Sequence, residues 1–386
     1  MKLSTDRILT THVGSLPRPA DLVDLLRRED RGEPVDRAAL DDSVARAVRQ
    51  AVAEQVANGI DVVCDGEMGK MSYHVYAKHR LTGLGNAEGS GVPGRPMPLD
   101  IAEFPELSAE RLGGGGTDLM QATVCVGEVA YADRAPLDRD IANLETAAAD
   151  AGPVELFMNS VSPGCLATYV PNTYYPDKAA YREALIEALR PEYEAIHAAG
   201  LVLQVDCPDL AGSRHTDYAN NTEAEFLAEA ERSVEALNEA TRNIPPEAMR
   251  MHICWLNYAG PHTHDIPIAR LIGLLGRARP QGLLFEGANP RHEHEWEDWK
   301  AARIPDDKIL VPGVIDSTTP FVEHERLIAQ RIARYADIVG RERVIAGVDC
   351  GFGTFAGGEY LVPSVVYAKL ASLAAGARLA SEALWA

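Results

Sequence analysis

The chain has 386 residues, 46% of them hydrophobic and 24% charged, which allows a large core and excludes a disordered or fibrous polymer. Asp+Glu 57 against Lys+Arg 37 gives a net charge of -20, and nucleic acid and anionic membranes are thereby disfavoured as partners, since both need a cationic face. The six cysteines are dispersed, the N-terminus lacks a basic segment followed by an apolar one, and no stretch approaches about 18 uninterrupted apolar residues; the expectation is a reduced, cytoplasmic protein with no membrane span.

Short runs rich in Val, Ile and Leu alternate with longer helical segments, the rhythm of βα units and a parallel sheet. ILTTHVGS and IDVVCDGE flank a helix predicted from Asp36 to Asn58, with Gly59 as its stop. Thr82 to Thr117 breaks the rhythm with Gly83, Gly85, Gly89, Gly91, Gly94, four prolines and the run Gly113 to Gly116. It reads either as a solvated surface excursion or as a lid over a barrel mouth, and without a following Lys-Ser/Thr it is not a phosphate loop. ATVCVGEVA, next in line, is a ninth strand candidate and is assigned to a hairpin or accessory element.

VELFMNS follows, then a helix from Lys178 to Ala199 closed by Gly200, in which Pro191 is expected to begin a fresh helix. After LVLQVDCPD, Thr222 and Glu225 form a capping box that opens a helix running to about Arg242. MRMHICW, GLLFEGANP and KILVPGVID come next, then a helix from Phe321 to Val339 ending at Gly340, then RVIAGVDCG and a last helix after Pro363. Most of these runs are continuously apolar and end in a polar or small residue, as strands do when both faces are covered and the carboxyl end opens on a site. No low-complexity linker divides the chain, so residues 1–386 are read as one domain with an irregular insertion at about 82–117.

Four ligand-type residues stand at strand ends: His252 and Cys254 in MRMHICW, Glu286 in LLFEGANP and Cys350 in AGVDCGFG. Residues i and i+2 of a strand share a face, so His252 and Cys254 can reach one point. Taken singly, each is an ordinary core residue. Together, two thiolates, an imidazole and a carboxylate make a set from which a tetrahedral zinc site can be built; core and metal readings both stay open on the residues alone.

TTHVGSLPRP, GIDVVCDGEM, LQVDCPDL, HIC, FEGANPRHEHEW, PGVID and GVDCGFGT, in that order and spacing, resemble the catalytic barrel of cobalamin-independent methionine synthase and its single-barrel relatives. The resemblance spans nearly the whole chain. It implies an α/β fold, a (β/α)8 TIM barrel, with zinc held by His252, Cys254, Glu286 and Cys350. It further implies that a thiol, homocysteine by default, replaces the carboxylate on the metal and that its thiolate attacks an alkyl donor, methylfolate in the family. Val13, Gly14 and Ser15 match the segment that holds the amino-acid part of homocysteine, and Glu67 and Asp206 the carboxylates that bind its ammonium group.

Two departures stand out. The family has a proton-donating histidine two residues after PGV-x-D, where PGVIDSTTP has Thr318, and a threonine is no general acid near neutral pH. FMNSVSPGCLATYV also lacks the tryptophan on which the family's folate stacks, although Tyr169, Tyr174 and Tyr175 follow. His262 and His292 are the candidates for the missing proton donor, with Asp316 as a third catalytic candidate. Arg291 is a candidate anion holder, and His12, Tyr73, His74 and Lys78 are candidates to line the mouth; His264 and His294 belong to the same histidine-rich loops. The expected enzyme is a zinc-dependent S-methyltransferase acting on a small-molecule thiol, for which homo-oligomerisation is compatible with the sequence. Its rivals are an epoxyalkane:coenzyme M transferase-like alkyltransferase and, from another class, a decarboxylase resembling uroporphyrinogen decarboxylase.

Overall fold

The computed structural model describes residues 1–86, 96–107 and 122–386. Its strands, in chain order, are β1 (Leu9–Thr10), β2 (Val62–Val63), β3 (Leu84–Asn86), β4 (Thr123–Cys125), β5 (Glu155–Val161), β6 (Val202–Asp206), β7 (Met249–His252), β8 (Gly282–Phe285), β9 (Ile309–Ile315) and β10 (Ile345–Val348). Eight of them form a parallel sheet in the order β1-β10-β9-β8-β7-β6-β5-β2. A parallel bridge between Thr11 and Val62 brings the two edges together, so the sheet closes on itself with helices interleaved: a (β/α)8 barrel. The two remaining strands, β3 and β4, pair antiparallel as a hairpin outside the barrel. ATVCVGEVA thus supplies the accessory strand, and the other eight candidate runs supply the barrel.

Alternation along the strands decides what the barrel interior holds. Val202, Phe157, Val62 and Cys64 pack in one interior cluster, and Leu9, Val13, Leu284, Ile309, Val311 and Ile345 in another. Their strand neighbours, such as Met158, Leu203, Val205, Met251, Leu283 and Phe285, join the large cluster between sheet and helices. Because the period is two, the inward rows continue toward the carboxyl end as Phe157-Asn159, Gln204-Asp206, Arg250-His252-Cys254 and Leu284-Glu286. The floor is apolar and the mouth is polar.

The helices follow their local signals with two exceptions. Asp36 caps Arg37–Ala57 through the N–H groups of Ala38 and Ala39, and Thr222 and Glu225 form both bonds of the capping box of Glu223–Ala240. Pro363 is the first residue of the final helix, Pro363–Leu384, where its missing N–H costs nothing. Pro191, expected to start a new helix, instead lies within a continuous helix, Lys178–Ala198. Leu185, Ile186, Leu189, Tyr193 and Ile196 are buried on both sides of it, and this packed face outweighs the one backbone bond the proline removes. The helix expected from Phe321 begins at Glu325, capped by the His324 side chain, because Phe321 and Val322 face solvent and give an earlier first turn nothing to bury.

Of the glycine-rich insertion, Gly89, Gly91, Gly94 and Gly113 to Gly116 lie outside the described residues. The described piece docks on the barrel mouth. Asp100, in the short helix Leu99–Glu103, accepts from the Tyr258 hydroxyl at 2.7 Å and from the His262 N–H at 2.7 Å. None of the six cysteines, all described and all buried, is in a disulfide.

Candidate metal and amino-acid site

The ligand atoms of His252, Cys254 and Cys350 lie within 4.8 Å of one another, all three residues buried. The end of β7 supplies His252 and the residues just past it Cys254, at successive inward positions, and the turn after β10 supplies the third. His252 Nε2 is buried without a hydrogen-bond partner, while Nδ1 faces Asp206 Oδ1 at 3.6 Å. An unpartnered imidazole nitrogen beside two thiols, with its other nitrogen on a carboxylate, is the arrangement of a metal-ligating histidine. The two thiols are pushed in opposite directions. A hydrogen bond to Cys350 and the nearby His252 draw the Cys254 thiol below its usual range against burial, whereas the bond to Cys254 and burial push Cys350 well up. These residues fit a metal ion that takes nitrogen and sulfur donors.

Glu286 lies outside that trio. Its Oε1 accepts the Trp255 N–H at 2.9 Å, and its Oε2 accepts Asn289 Nδ2 at 2.7 Å and Arg291 Nη2 at 3.0 Å. The loop that carries it is pinned from β10: Asp349 accepts the backbone N–H groups of Gly287, Ala288 and Asn289 at 2.8–2.9 Å, and Asn289 Nδ2 besides.

Beside the trio is a second group of unpaired atoms. Glu67 Oε2, Asn159 Oδ1 and Arg18 Nη2 are buried without hydrogen-bond partners. Asn159 donates to the Val13 carbonyl at 2.8 Å and to Asp206 at 3.1 Å. Arg18 is anchored on the carbonyls of Glu67 and Gly353 and stands 3.9 Å from the Glu67 carboxylate. Burial pushes the Glu67 carboxyl up to about 7, with Lys70 opposing and Asp206 adding to the rise. Glu67 also has φ 56, one of three non-glycine residues with left-handed backbone among those described. The others, Leu256 and His262, lie in the loop after β7, so the strained backbone is confined to the mouth.

Val13, Gly14 and Ser15 follow β1 into this group. Gly14 has φ 146, and a Cβ there would come within 2.5 Å of the Asn159 amide, so both the backbone and the space call for glycine. Ser15 lies against Gly351, beside Cys350.

The three catalytic candidates are held internally. His262 Nδ1 pairs with Asp265 at 2.9 Å and Nε2 with the Tyr258 carbonyl at 3.0 Å. His292 lies between Glu295 at 2.9 Å and Asp265 at 3.1 Å; burial opposes its charge, but the two carboxylates prevail and hold it up at about 10. Asp316 accepts from the Thr318 N–H and hydroxyl and from the Thr319 hydroxyl. His12 turns to Gln55 at 2.7 Å, and burial holds it near 4, hence neutral. Lys78 pairs with Asp30 and Asn86, away from the trio. His264 pairs with Glu103 at an exposed position, and His294 is exposed. Tyr73 and His74 form an aromatic group with Tyr169 and Phe355.

Two participants had escaped the sequence reading. Asn159 stands near the carboxyl end of β5, in a run as apolar as the others, and the strand-end rule that singled out His252 applies to it equally. Arg250, inward and fully buried two residues before His252, binds the Thr11 hydroxyl, the His12 carbonyl and Gln204 at 2.8–3.0 Å. It lies 3.6 Å over the Phe157 ring and so ties β1, β5 and β6 together beneath the site.

No protein-family model matches the chain. In sequence it is 22% identical to methionine synthase of Pyrococcus furiosus over 372 residues, 96% of this chain and 91% of that protein. It is 21% identical to methionine synthase of Sulfolobus acidocaldarius over 97% of this chain and 93% of that one. The chain is a distant relative of methionine synthases. Solved structures agree on the fold of those enzymes. A B12-independent methionine synthase from Shewanella sp. W3-18-1, in complex with selenomethionine, superposes with TM-score 0.72 at 18% identity, covering 98% of this chain and 99% of that one. A putative B12-independent methionine synthase from Listeria monocytogenes gives TM-score 0.66 at 20% identity over 96% and 98%. The chain spans nearly the full length of these methionine synthase relatives. No helix among the described residues is long and apolar enough to cross a membrane.

Proposed function

We propose that this protein is a zinc-dependent methyltransferase acting on the thiol of homocysteine. The observation that carries the reading is the adjacency of the buried His252-Cys254-Cys350 trio to the buried carboxylates of Glu67 and Asp206, whose neighbourhood retains unpaired acceptors. One group takes a sulfur-loving ion and the other takes a cation. A substrate that presents a thiol and an ammonium group a few bonds apart engages both. The methionine synthase relatives act in support.

In this reading His252, Cys254 and Cys350 hold zinc, with Glu286 as the fourth and exchangeable ligand. Bound zinc with such anionic donors lowers the pKa of a thiol from about 8.5 while leaving the sulfur nucleophilic. The ammonium group lies among Glu67, Asp206 and Asn159 Oδ1, and the carboxylate is met by Ser15 and Arg18 Nη2. These contacts orient the sulfur. A sulfur–carbon bond then forms as the bond from the methyl group to its donor breaks, and the thiol proton has already left. Asp265 binds His262 and His292 together at the mouth, and Asp316 orders Thr318 and Thr319.

The charge of the pocket weighs against the coenzyme M rival. A sulfonate in place of the amino-acid group could meet Arg18 but would bring no ammonium to balance Glu67 and Asp206, and buried carboxylates left without a counter-charge beside an anion are costly. A decarboxylase has no use for the His-Cys-Cys trio.

Elemental analysis tests the metal: about one zinc per chain is expected, lost in Cys350→Ala. The donor is tested by pairing homocysteine, coenzyme M and glutathione with methylfolate, methylcobalamin and small epoxides, with product identified by mass. Methionine from homocysteine and one of the methyl donors is expected. Metal-free wild type, or turnover only with coenzyme M, would overturn the reading.

A further inference from the structure

The zinc set proposed above is asymmetric. Three candidate ligands converge, whereas the carboxylate of the fourth, Glu286, is fully engaged elsewhere. Its partners are not incidental surface groups. Arg291 is itself oriented by the Asn289 side-chain oxygen at 3.0 Å and by the Tyr258 carbonyl at 3.2 Å. Asn289 is fixed in turn by Asp349. The result is a built carboxylate receptor with a guanidinium, an amide and a backbone N–H converging on one buried group. A carboxylate displaced from a metal into a buried site needs a counter-charge and donors for both oxygens, or its desolvation opposes the exchange. The receptor supplies both.

We propose that Arg291, with Asn289, is the receiving arm for Glu286, holding it clear of the metal position so that a substrate thiol can occupy it. The inference rests on the zinc-thiol reading of the site and deepens it. Arg291 is then a positioning residue: it touches neither thiol nor methyl group, yet sets which of two anions, the protein's carboxylate or the substrate's thiolate, takes the fourth place. Charge is conserved in the exchange, since one anion leaves as another arrives. The thiol proton departs to solvent.

The arm has an unusual signature on removal. A residue that merely supports the fold loses metal and substrate together when it is truncated. Without Arg291, Glu286 has lost its best alternative to the metal, so zinc is retained as tightly or more tightly while the thiol competes less well. A charge-assisted hydrogen bond of ordinary strength corresponds to about ten- to a hundredfold in that competition.

The test compares wild type, Arg291→Met and Arg291→Lys in two measurements. Zinc affinity is read by competition with a chromophoric chelator. Homocysteine binding is read from the visible ligand-field spectrum of the cobalt-substituted protein and from proton release on adding the thiol. Arg291→Met is expected to keep or tighten zinc and to need at least about tenfold more homocysteine for the same spectral change. Arg291→Lys, which keeps the charge but loses the planar fork, should recover part of that loss. An Arg291→Met protein that saturates at the wild-type homocysteine concentration, or one that loses zinc along with the thiol, overturns the receiving arm. Wild type that binds zinc and thiol alongside such a result leaves the zinc-thiol reading intact; wild type that binds neither overturns both.

Discussion

Asp206 Oδ1 stands 3.6 Å from His252 Nδ1 while its other oxygen accepts a hydrogen bond from Asn159. One carboxylate thereby faces the proposed metal on one side and the proposed ammonium site on the other. In the proposed site it would orient a metal ligand and bind the substrate at the same time. Asp206→Asn keeps the shape and removes the charge. Zinc affinity should fall about 10–100-fold, and methionine, a product that lacks a thiol, should bind more weakly as well. Chelator competition and calorimetry measure the two separately, and an unchanged zinc affinity would show that Asp206 serves only the substrate side.

In the proposed site, Glu67 is expected to make methionine binding depend on pH. Burial, partly countered by Lys70 and reinforced by Asp206, puts its carboxyl at about 7, with Arg18 and Asp65 also facing it. Below that value Glu67 is protonated and must lose its proton before it can meet an ammonium group; above it, the carboxylate is already formed. Methionine affinity should therefore rise about tenfold between pH 6 and pH 8. Titration calorimetry near neutral pH should detect proton release on binding. Glu67→Gln should bind weakly and without this slope; a slope that survives the substitution assigns it to another group.

Gly14 and Gly152 form a matched pair. Both have positive φ, 146 and 68, but a Cβ at Gly14 meets the Asn159 amide, whereas one at Gly152 meets nothing within 4 Å. Gly152→Ala should cost about 1 kcal/mol of backbone strain alone. Gly14→Ala should cost more and should also displace Asn159 from Val13 and Asp206, lowering methionine affinity by at least about tenfold through the lost contacts. Thermal unfolding and calorimetry on both variants distinguish strain from collision.

Asp349 is the keystone of the loop after β8. Replacing it with Ala strands three backbone N–H groups in the interior, at roughly 1–3 kcal/mol for each unsatisfied group. The melting temperature should drop steeply. Asp349→Asn keeps an oxygen for part of that network and should fall in between. A melting temperature unchanged in Asp349→Ala would mean that the loop is held by Arg331, which donates to the Ala288 carbonyl at 2.9 Å.

Strand ends were legible because a buried parallel strand leaves a plain record: an apolar run, then the residue that faces the site. His252, Cys254, Glu286 and Cys350 stood out that way, Glu67 and Asp206 through the family resemblance, and the hairpin assignment of ATVCVGEVA followed from counting one run too many. Partners across the barrel were not legible. Whether Glu286 reaches toward the trio or toward Arg291, and whether His292 faces the mouth or Asp265, depends on which side chains meet across loops from different strands, and one-dimensional spacing carries no record of that. Pro191 shows the same limit in a helix, where burial on both flanks overrode a local breaker.

The closure of the barrel has a consequence for motion. β1 and β2 are two residues long and share a single ladder bridge, Thr11–Val62, supplemented by hydrogen bonds of Thr10 and Thr11 to Asp61 and Val62, whereas β5 and β6 share a five-residue register. The seam with the shortest ladder lies where the segments proposed to hold the amino-acid part of the substrate emerge, Val13 to Ser15 from one side and Glu67 from the other. An amino acid bound between them acts as a staple across that seam. Amide hydrogen exchange at residues 9–15 and 60–67 should slow on adding methionine far more than at β5 to β7, so that substrate and fold are fastened by the same few contacts.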